Sequence, residues 1–308
     1  MFRPLNVVAT HESGALRRND EFLADEQNRA LIEKAIAPGF QPDSQYDLAF
    51  FGGKTIAAGT VVPIYTGPSG AWSQTDITAI DGALAEAFSD SNLEGVIAQY
   101  FSATTAITVA GSTQLTDPAT TLQQSDVETL IQNSFAAGTL TGDPASTLFC
   151  LLLAPGTRLF ASDGSDSYNG LGGYHGSVSA SGAQSVYYSV GVYSETSGGV
   201  TNGIPAFDTP WKNVVATFYH EINEWRTDPD VENATGTSTS GVLGWYSQQY
   251  GEIGDIPITE AGSNLSEVFV EVPLASGSGT VPVQLMYSNH DHGPAPSTAA
   301  APGSAAGG

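Results

Sequence analysis

The chain has 308 residues, with 32 acidic side chains against only 9 Lys plus Arg, for a formal charge of -23. That length can bury a substantial core, and a surface so negative repels nucleic acid and anionic membranes while attracting metal cations and basic ligands. Nucleic-acid binding and membrane-surface binding are therefore excluded as working readings, and no apolar stretch is long enough to span a bilayer.

Residues 1–19 read as a polar arm without the uninterrupted apolar segment of a signal peptide. An amphipathic helix is predicted over Asp20 to Ala37, with Phe22, Leu23, Leu31, Ile32 and Ile36 as its apolar positions, ended by Pro38 and Gly39. Short strands follow at Tyr46 to Phe51 and Thr60 to Tyr65. Ile77, Ile80, Leu84 and Phe88 give helical spacing over Thr75 to Ser89, and Leu93 to Phe101 predicts a second, shorter helix. A Thr-rich strand or loop runs on to Gln123, and Ser125 is placed as the cap of a helix over Asp126 to Ala137.

Thr147 to Ala154 is continuously apolar between turn residues, the pattern of a central strand buried on both faces. Within it Cys150, the single cysteine, reads as a small buried hydrophobe and rules out an intramolecular disulfide. Pro155 to Ser185 is rich in Gly, Ser and Asp, and within it Asp163, Asp166 and Asn169 match a calcium loop in spacing only; a hydrogen-bonded turn is the competing reading. Ser185 to Val192 alternates as a strand. Two late strands are expected, Glu267 to Val272 and Thr280 to Tyr287, and then a disordered Pro/Ala/Gly tail over 293–308. Interleaved helices and strands predict a single layered α/β domain over 20–292, with a mixed sheet flanked by helices.

The stretch Ala216 to Asp230, ATFYHEINEWRTDPD, carries the chemistry. Thr209 and Pro210 open the predicted helix and Pro229 stops it beyond Thr227. Residues four apart share a helical face, so His220 and Glu224 can point at one ion while Glu221 sits beside it. In the zincin arrangement His-Glu-x-x-His, two histidines bind zinc and the glutamate activates water; here Glu224 replaces the second histidine, which admits zinc, calcium, magnesium or manganese. Val214, Phe218, Ile222 and Trp225 form an apolar stripe, so the His/Glu side is expected on a different face from the core contact. A solvated polar face is the competing reading of the same pattern.

Asp228 and Asp230 follow the turn as further acids, either as ligands or as caps of the chain reversal. Asp230 lies ten positions after His220, the offset of a third ligand in one group of zinc proteases, though Thr227 stands where those have glycine. Glu252 and Asp255 arrive later, in GWYSQQYGEIGD. His175, in GGYHGS, reads as a ligand, a transition-state donor or a hydrogen-bonded core residue. His290 and His292 adjoin the tail in SNHDHG and read either as opportunistic metal binders or as surface histidines with no specific role.

Taken in order, the strand ending LAPGT, GYHGS, HEINEWRTDPD, GWYSQQYGEIGD and the late strand ending YSN resemble the bacterial and fungal relatives of the plant phosphate-induced, exordium-like proteins, over roughly Thr60 to Asn289. Tyr287 stands where those relatives have tryptophan. The resemblance implies His220 and Glu224 as ligands, Glu221 as the water-activating base, and Glu252 or Asp255 as a partner from another element. Microbial members look like metal-dependent hydrolases, plant members are linked with growth and the cell wall, and relatives are usually exported and carry cysteines this chain lacks. The leading expectation is thus a zinc-dependent hydrolase acting on peptides, with His175 or Tyr174 stabilising the oxyanion. The alternative is a non-catalytic protein with a structural zinc or calcium that recognises cell-wall glycan or a protein, using Trp225, Trp245, Tyr246 and Tyr250 for stacking.

Overall fold

The structure, a computed structural model, describes residues 36–117, 119–179, 185–231 and 241–296. The N-terminal arm, nearly all of the helix expected over 20–37, and the tail beyond 296 lie outside these residues.

In chain order, a 3-10 turn at Ser44–Tyr46 precedes β1 (Ala49–Phe50) and β2 (Ala58–Gly67); α1 (Gln74–Ser89) and α2 (Ser91–Ala98) follow. Then come β3 (Ala106–Val109), β4 (Thr113–Thr116), β5 (Thr121–Gln123), α3 (Gln124–Ala136), β6 (Thr147–Leu153) and β7 (Arg158–Phe160). The middle of the chain supplies β8 (Gly173–Ser179), β9 (Ser185–Gly191), β10 (Glu195–Ser197), β11 (Val200–Asn202) and α4 (Pro210–Thr227). The last part holds β12 (Trp245–Tyr246), α5 (Asp255–Ala261), β13 (Phe269–Pro273), β14 (Thr280–Gln284), β15 (Met286–Ser288) and β16 (Gly293–Ala295).

The fold is mixed α/β, with five α-helices among the described residues and a six-stranded mixed sheet in the order β3-β2-β6-β9-β8, β4 also pairing with β2. β6 is the central strand the apolar run predicts, and every one of its residues is buried. Its side chains alternate between two cores: Leu148, Cys150 and Leu152 enter one, Phe149, Leu151 and Leu153 the other. A parallel strand with helices on both faces has no solvent side, which is why its sequence is continuously apolar. Cys150 takes a hydrogen bond from the Ser189 hydroxyl at 3.1 Å, and burial pushes its thiol up to about 12, far from any nucleophilic role.

One face of the sheet carries α1, with Ile77, Ile80, Leu84 and Phe88 inward, and α4; the other carries α3, with Val127 and Ile131 inward. Ser73 caps α1 by accepting from the Asp76 N–H at 3.0 Å. The start of α3 differs from expectation: Gln123 is its N-cap, not Ser125, because the Asp126 carboxylate reaches back to the Gln123 N–H at 2.8 Å in a capping box.

Three elements depart further. The GYHGS segment, to which its composition assigns no element, is the edge strand β8, antiparallel to β9. Its leading glycine allows a close backbone approach, since a Cβ at Gly173 would lie 2.5 Å from the Val190 carbonyl oxygen and 3.0 Å from Thr217. The expected late strand splits into β14 and β15 around Leu285. The tail opens with β16 paired antiparallel to β15, so its first three residues are ordered; the backbone N–H of Ala37 also bonds the Pro294 carbonyl at 2.8 Å. No helix of the described residues is long and apolar enough to cross a membrane.

Candidate metal centre

α4 is buried on every side from Asn213 to Thr227, so its His/Glu side is not the solvated face of the competing reading, although it does lie apart from the apolar stripe. It is enclosed by α1, by β8 and β9, and by the β13–β14 hairpin. The apolar stripe of Val214, Phe218, Ile222 and Trp225 joins the main core, and the polar side is sealed by other elements rather than by water. Pro210 is the first helical residue and Asp228 the C-cap, as the start and stop signals predict, but the Thr209 side chain makes no capping bond.

On that polar side His220 Nε2 lies 3.0 Å from Glu224 Oε2, the closeness that an i,i+4 pair on one face allows. The EIGD turn closes over them. Gly254 donates its N–H to Glu224 Oε1 at 3.2 Å, and a Cβ at Gly254 would lie 2.3 Å from His220 Nδ1, so only glycine lets this backbone rest against the imidazole. The same turn delivers Glu252 and, at the start of α5, Asp255, whose carboxylate accepts from the Glu252 N–H at 3.3 Å.

β8 delivers His175 from the opposite side. Its Nδ1 lies 3.5 Å from Glu221 Oε2 and 3.7 Å from Glu224 Oε2; its Nε2 lies 3.7 Å from Glu252 Oε1 and 3.2 Å from the Asp228 carbonyl oxygen. Strand alternation turns its neighbour Tyr174 into the other core, beside Tyr188, which removes Tyr174 as an oxyanion donor. Two sets of ligand atoms emerge, each with its members within 4.8 Å of one another: His175, Glu224 and Glu252, and His220, Glu224 and Asp255. Glu224 belongs to both. Glu221, Asp228 and the members of these two sets are each at most 5% exposed.

The two aspartates after the helix part company. Asp228 Oδ1 accepts from the Gly244 N–H at 2.8 Å, while its Oδ2 is buried without a hydrogen-bond partner. Asp230 turns away from the cluster and accepts from the Tyr187 hydroxyl at 3.1 Å.

Burial shapes the charges. It drives the Glu221 carboxyl upward, the Glu252 and Asp255 carboxyls well above the usual range, and Asp228 to about 7. For the histidines burial acts to lower the pKa, but the facing carboxylates outweigh it: Glu221 and Glu224 raise His175 to about 9, and Glu224, Glu221 and Asp255 raise His220 to about 10. The cluster thus favours neutral carboxyl groups and holds protons on its histidines when no cation is bound. Both oxygens of Glu221, Oδ2 of Asp228, Oε1 of Glu252 and Nε2 of His220 are buried without hydrogen-bond partners. Such atoms are costly to bury unless something else satisfies them, and a mixed imidazole and carboxylate set suits a divalent cation such as zinc or manganese.

One contributor escapes sequence reasoning altogether. Gln284, fully buried at the end of β14, sets its Oε1 against His220 Nδ1 and donates from Nε2 to the Gly254 carbonyl at 3.1 Å. Nothing in its local sequence marks it, since a single polar residue in a strand is an ordinary feature.

Other candidates resolve into structure. Asp166 accepts from Arg158 at 2.8 and 3.0 Å and from Asn169 at 2.7 Å, with the guanidinium lying between the rings of Phe160 and Tyr168, and Asp163 accepts from the Ser165 N–H. This is the hydrogen-bonded turn, not the calcium loop. His290 pairs with Asp291 and His292 with Asp47. Trp225 and Tyr246 are buried in cores and cannot stack on a glycan, whereas Trp245 is partly buried between Phe50 and Tyr100, and Tyr250 packs on Tyr46. Compared with known proteins, the sequence matches no family model and no curated protein.

Proposed function

We propose that this chain is a metal-dependent hydrolase acting on peptide bonds, with α4 serving as a zincin-like active-site helix. One observation carries the reading: buried nitrogen and oxygen atoms lacking hydrogen-bond partners converge around Glu224 from α4, the turn before α5 and the end of α4. His220, Glu224 and Asp255 would hold the cation, zinc being the first candidate for two helical ligands plus one from a separate element. A bound divalent cation supplies the charge that polarises a carbonyl and acidifies water.

Glu221 favours hydrolysis over mere bracing. It adjoins both ligand sets and belongs to neither, and neither of its oxygens has a hydrogen-bond partner, so it is free to take a proton from water. His175, 3.5 Å away, orients that carboxylate and is the nearest donor for a developing oxyanion. The acidic surface favours basic peptides.

Enclosure of the cluster favours a second reading: with every member at most 5% exposed, the ion would brace the turns around α4 in a non-catalytic protein that binds cell-wall glycan or a protein partner. Elemental analysis of wild type and of a His220→Ala, Glu224→Ala double variant tests the centre itself. About one or more zinc per chain, lost in the double variant, supports it; no metal, or metal indifferent to the substitutions, sinks it.

A further inference from the structure

We infer that the centre takes two divalent cations that share Glu224, one with His220 and Asp255 and the other with His175 and Glu252. This rests on the proposed metal centre and extends it, with His175 as a ligand in place of an oxyanion donor. The two ligand sets have Glu224 in common and nothing else. Its Oε2 is approached from both sides, 3.0 Å from His220 Nε2 and 3.7 Å from His175 Nδ1, while its Oε1 is tied to the Gly254 N–H. One carboxylate oxygen thus faces two imidazoles carried on different elements, α4 and β8.

Two of the unpartnered atoms divide in the same way. His220 Nε2 lies in the first set, and Glu252 Oε1 in the second, 3.7 Å from His175 Nε2. A single cation among His220, Glu224 and Asp255 leaves Glu252 Oε1 buried and unsatisfied. Charge leads to the same count. Five carboxyl groups, Glu221, Glu224, Asp228, Glu252 and Asp255, are buried together with two histidines, and one divalent cation offsets only two of them. Paired cations about 3.5–4 Å apart, held by shared carboxylates, are an established arrangement in hydrolytic enzymes, aminopeptidases among them.

The test is stoichiometry on the full chain, stripped of metal and titrated with zinc, followed by electron paramagnetic resonance of the manganese(II)-loaded protein. The expected result is about two zinc per chain, with Glu252→Gln and Asp255→Asn each retaining about one, and a manganese spectrum showing spin coupling between neighbouring ions. One zinc per chain in wild type overturns the second cation and leaves the proposed centre standing; no zinc overturns both. Should either variant fail to fold by circular dichroism, the wild-type measurements decide alone: two manganese ions with uncoupled spectra overturn the sharing of Glu224.

Discussion

His220 and Gln284 stand 64 positions apart in the chain and meet in the core, imidazole Nδ1 against side-chain carbonyl. The Gln284 amide nitrogen is committed to the carbonyls of Gly254, at 3.1 Å, and Leu285, at 2.5 Å, so its oxygen must face the ring. An acceptor at that position holds a proton on Nδ1 and turns the Nε2 lone pair toward Glu224. Gln284→Met keeps the side-chain length and removes the acceptor. Zinc affinity measured by chelator competition is expected to drop 10- to 100-fold, with Gln284→Glu recovering most of the loss. Unchanged affinity in the methionine variant would show that His220 needs no such support.

Gly254→Ala should be disruptive for a steric reason. The new Cβ would sit 2.3 Å from His220 Nδ1, so either the ring or the EIGD turn must move. Overpacking of this kind costs about 1–3 kcal/mol, and here it also displaces the His220 ring that the proposed centre requires. Denaturant unfolding and zinc titration of the variant should both worsen; a variant as stable and as tightly metallated as wild type would show that the turn is more pliant than the packing indicates.

Stability of the metal-free protein should fall as pH rises. Asp228 is raised from 3.8 to about 7, and Glu221, Glu252 and Asp255 are raised as well, chiefly by burial. Each therefore binds its proton more tightly folded than unfolded, and that contribution fades as pH climbs from about 4 through each folded value. His175 and His220, raised from 6.5 to about 9 and about 10 by the facing carboxylates in spite of burial, lose theirs from about 6.5 upward. Saturating zinc needs the deprotonated ligands and should flatten or reverse the trend. Melting temperatures from pH 5 to 9, with chelator and with zinc, check this; a metal-free protein that gains stability across that range contradicts it.

Glu221→Gln separates catalysis from bracing. Metal content should persist, because Glu221 lies in neither ligand set, while any peptide hydrolysis should drop about 10²- to 10⁴-fold with loss of the proposed base. Turnover equal to wild type would assign the proton transfer elsewhere.

Asp230→Asn should leave zinc content unchanged, since that carboxylate accepts from Tyr187 outside the cluster. Loss of zinc in this variant would return Asp230 to the ligand set that its ten-residue offset first suggested.

Much of this molecule was legible in the chain because the relevant signals are local. A run such as Thr147–Leu153 can be continuously apolar only where both faces are covered, so its central place in the sheet follows from its own residues. The i,i+4 geometry likewise sets His220 beside Glu224 before anything else is known. Sequence alone also supplied Pro210 and Pro229 as the limits of α4.

What remained was decided through space. Polar residues on a helix read as solvent-facing, yet α4 buries His220, Glu221 and Glu224 because β8, the EIGD turn and the β13–β14 hairpin close over them. Asp228 and Asp230 are equivalent as side chains, and only the direction of the chain after α4 turns one toward Gly244 and the other toward Tyr187. Gln284 enters from a strand with no local mark of its role, and His175, marked by its GGYHGS setting, meets Glu221, Glu224 and Glu252 only because β8 packs against α4. Periodicity reports which side of its own element a residue occupies; which elements meet there is set by packing across the whole fold, and the cluster around Glu224 exists only at that level.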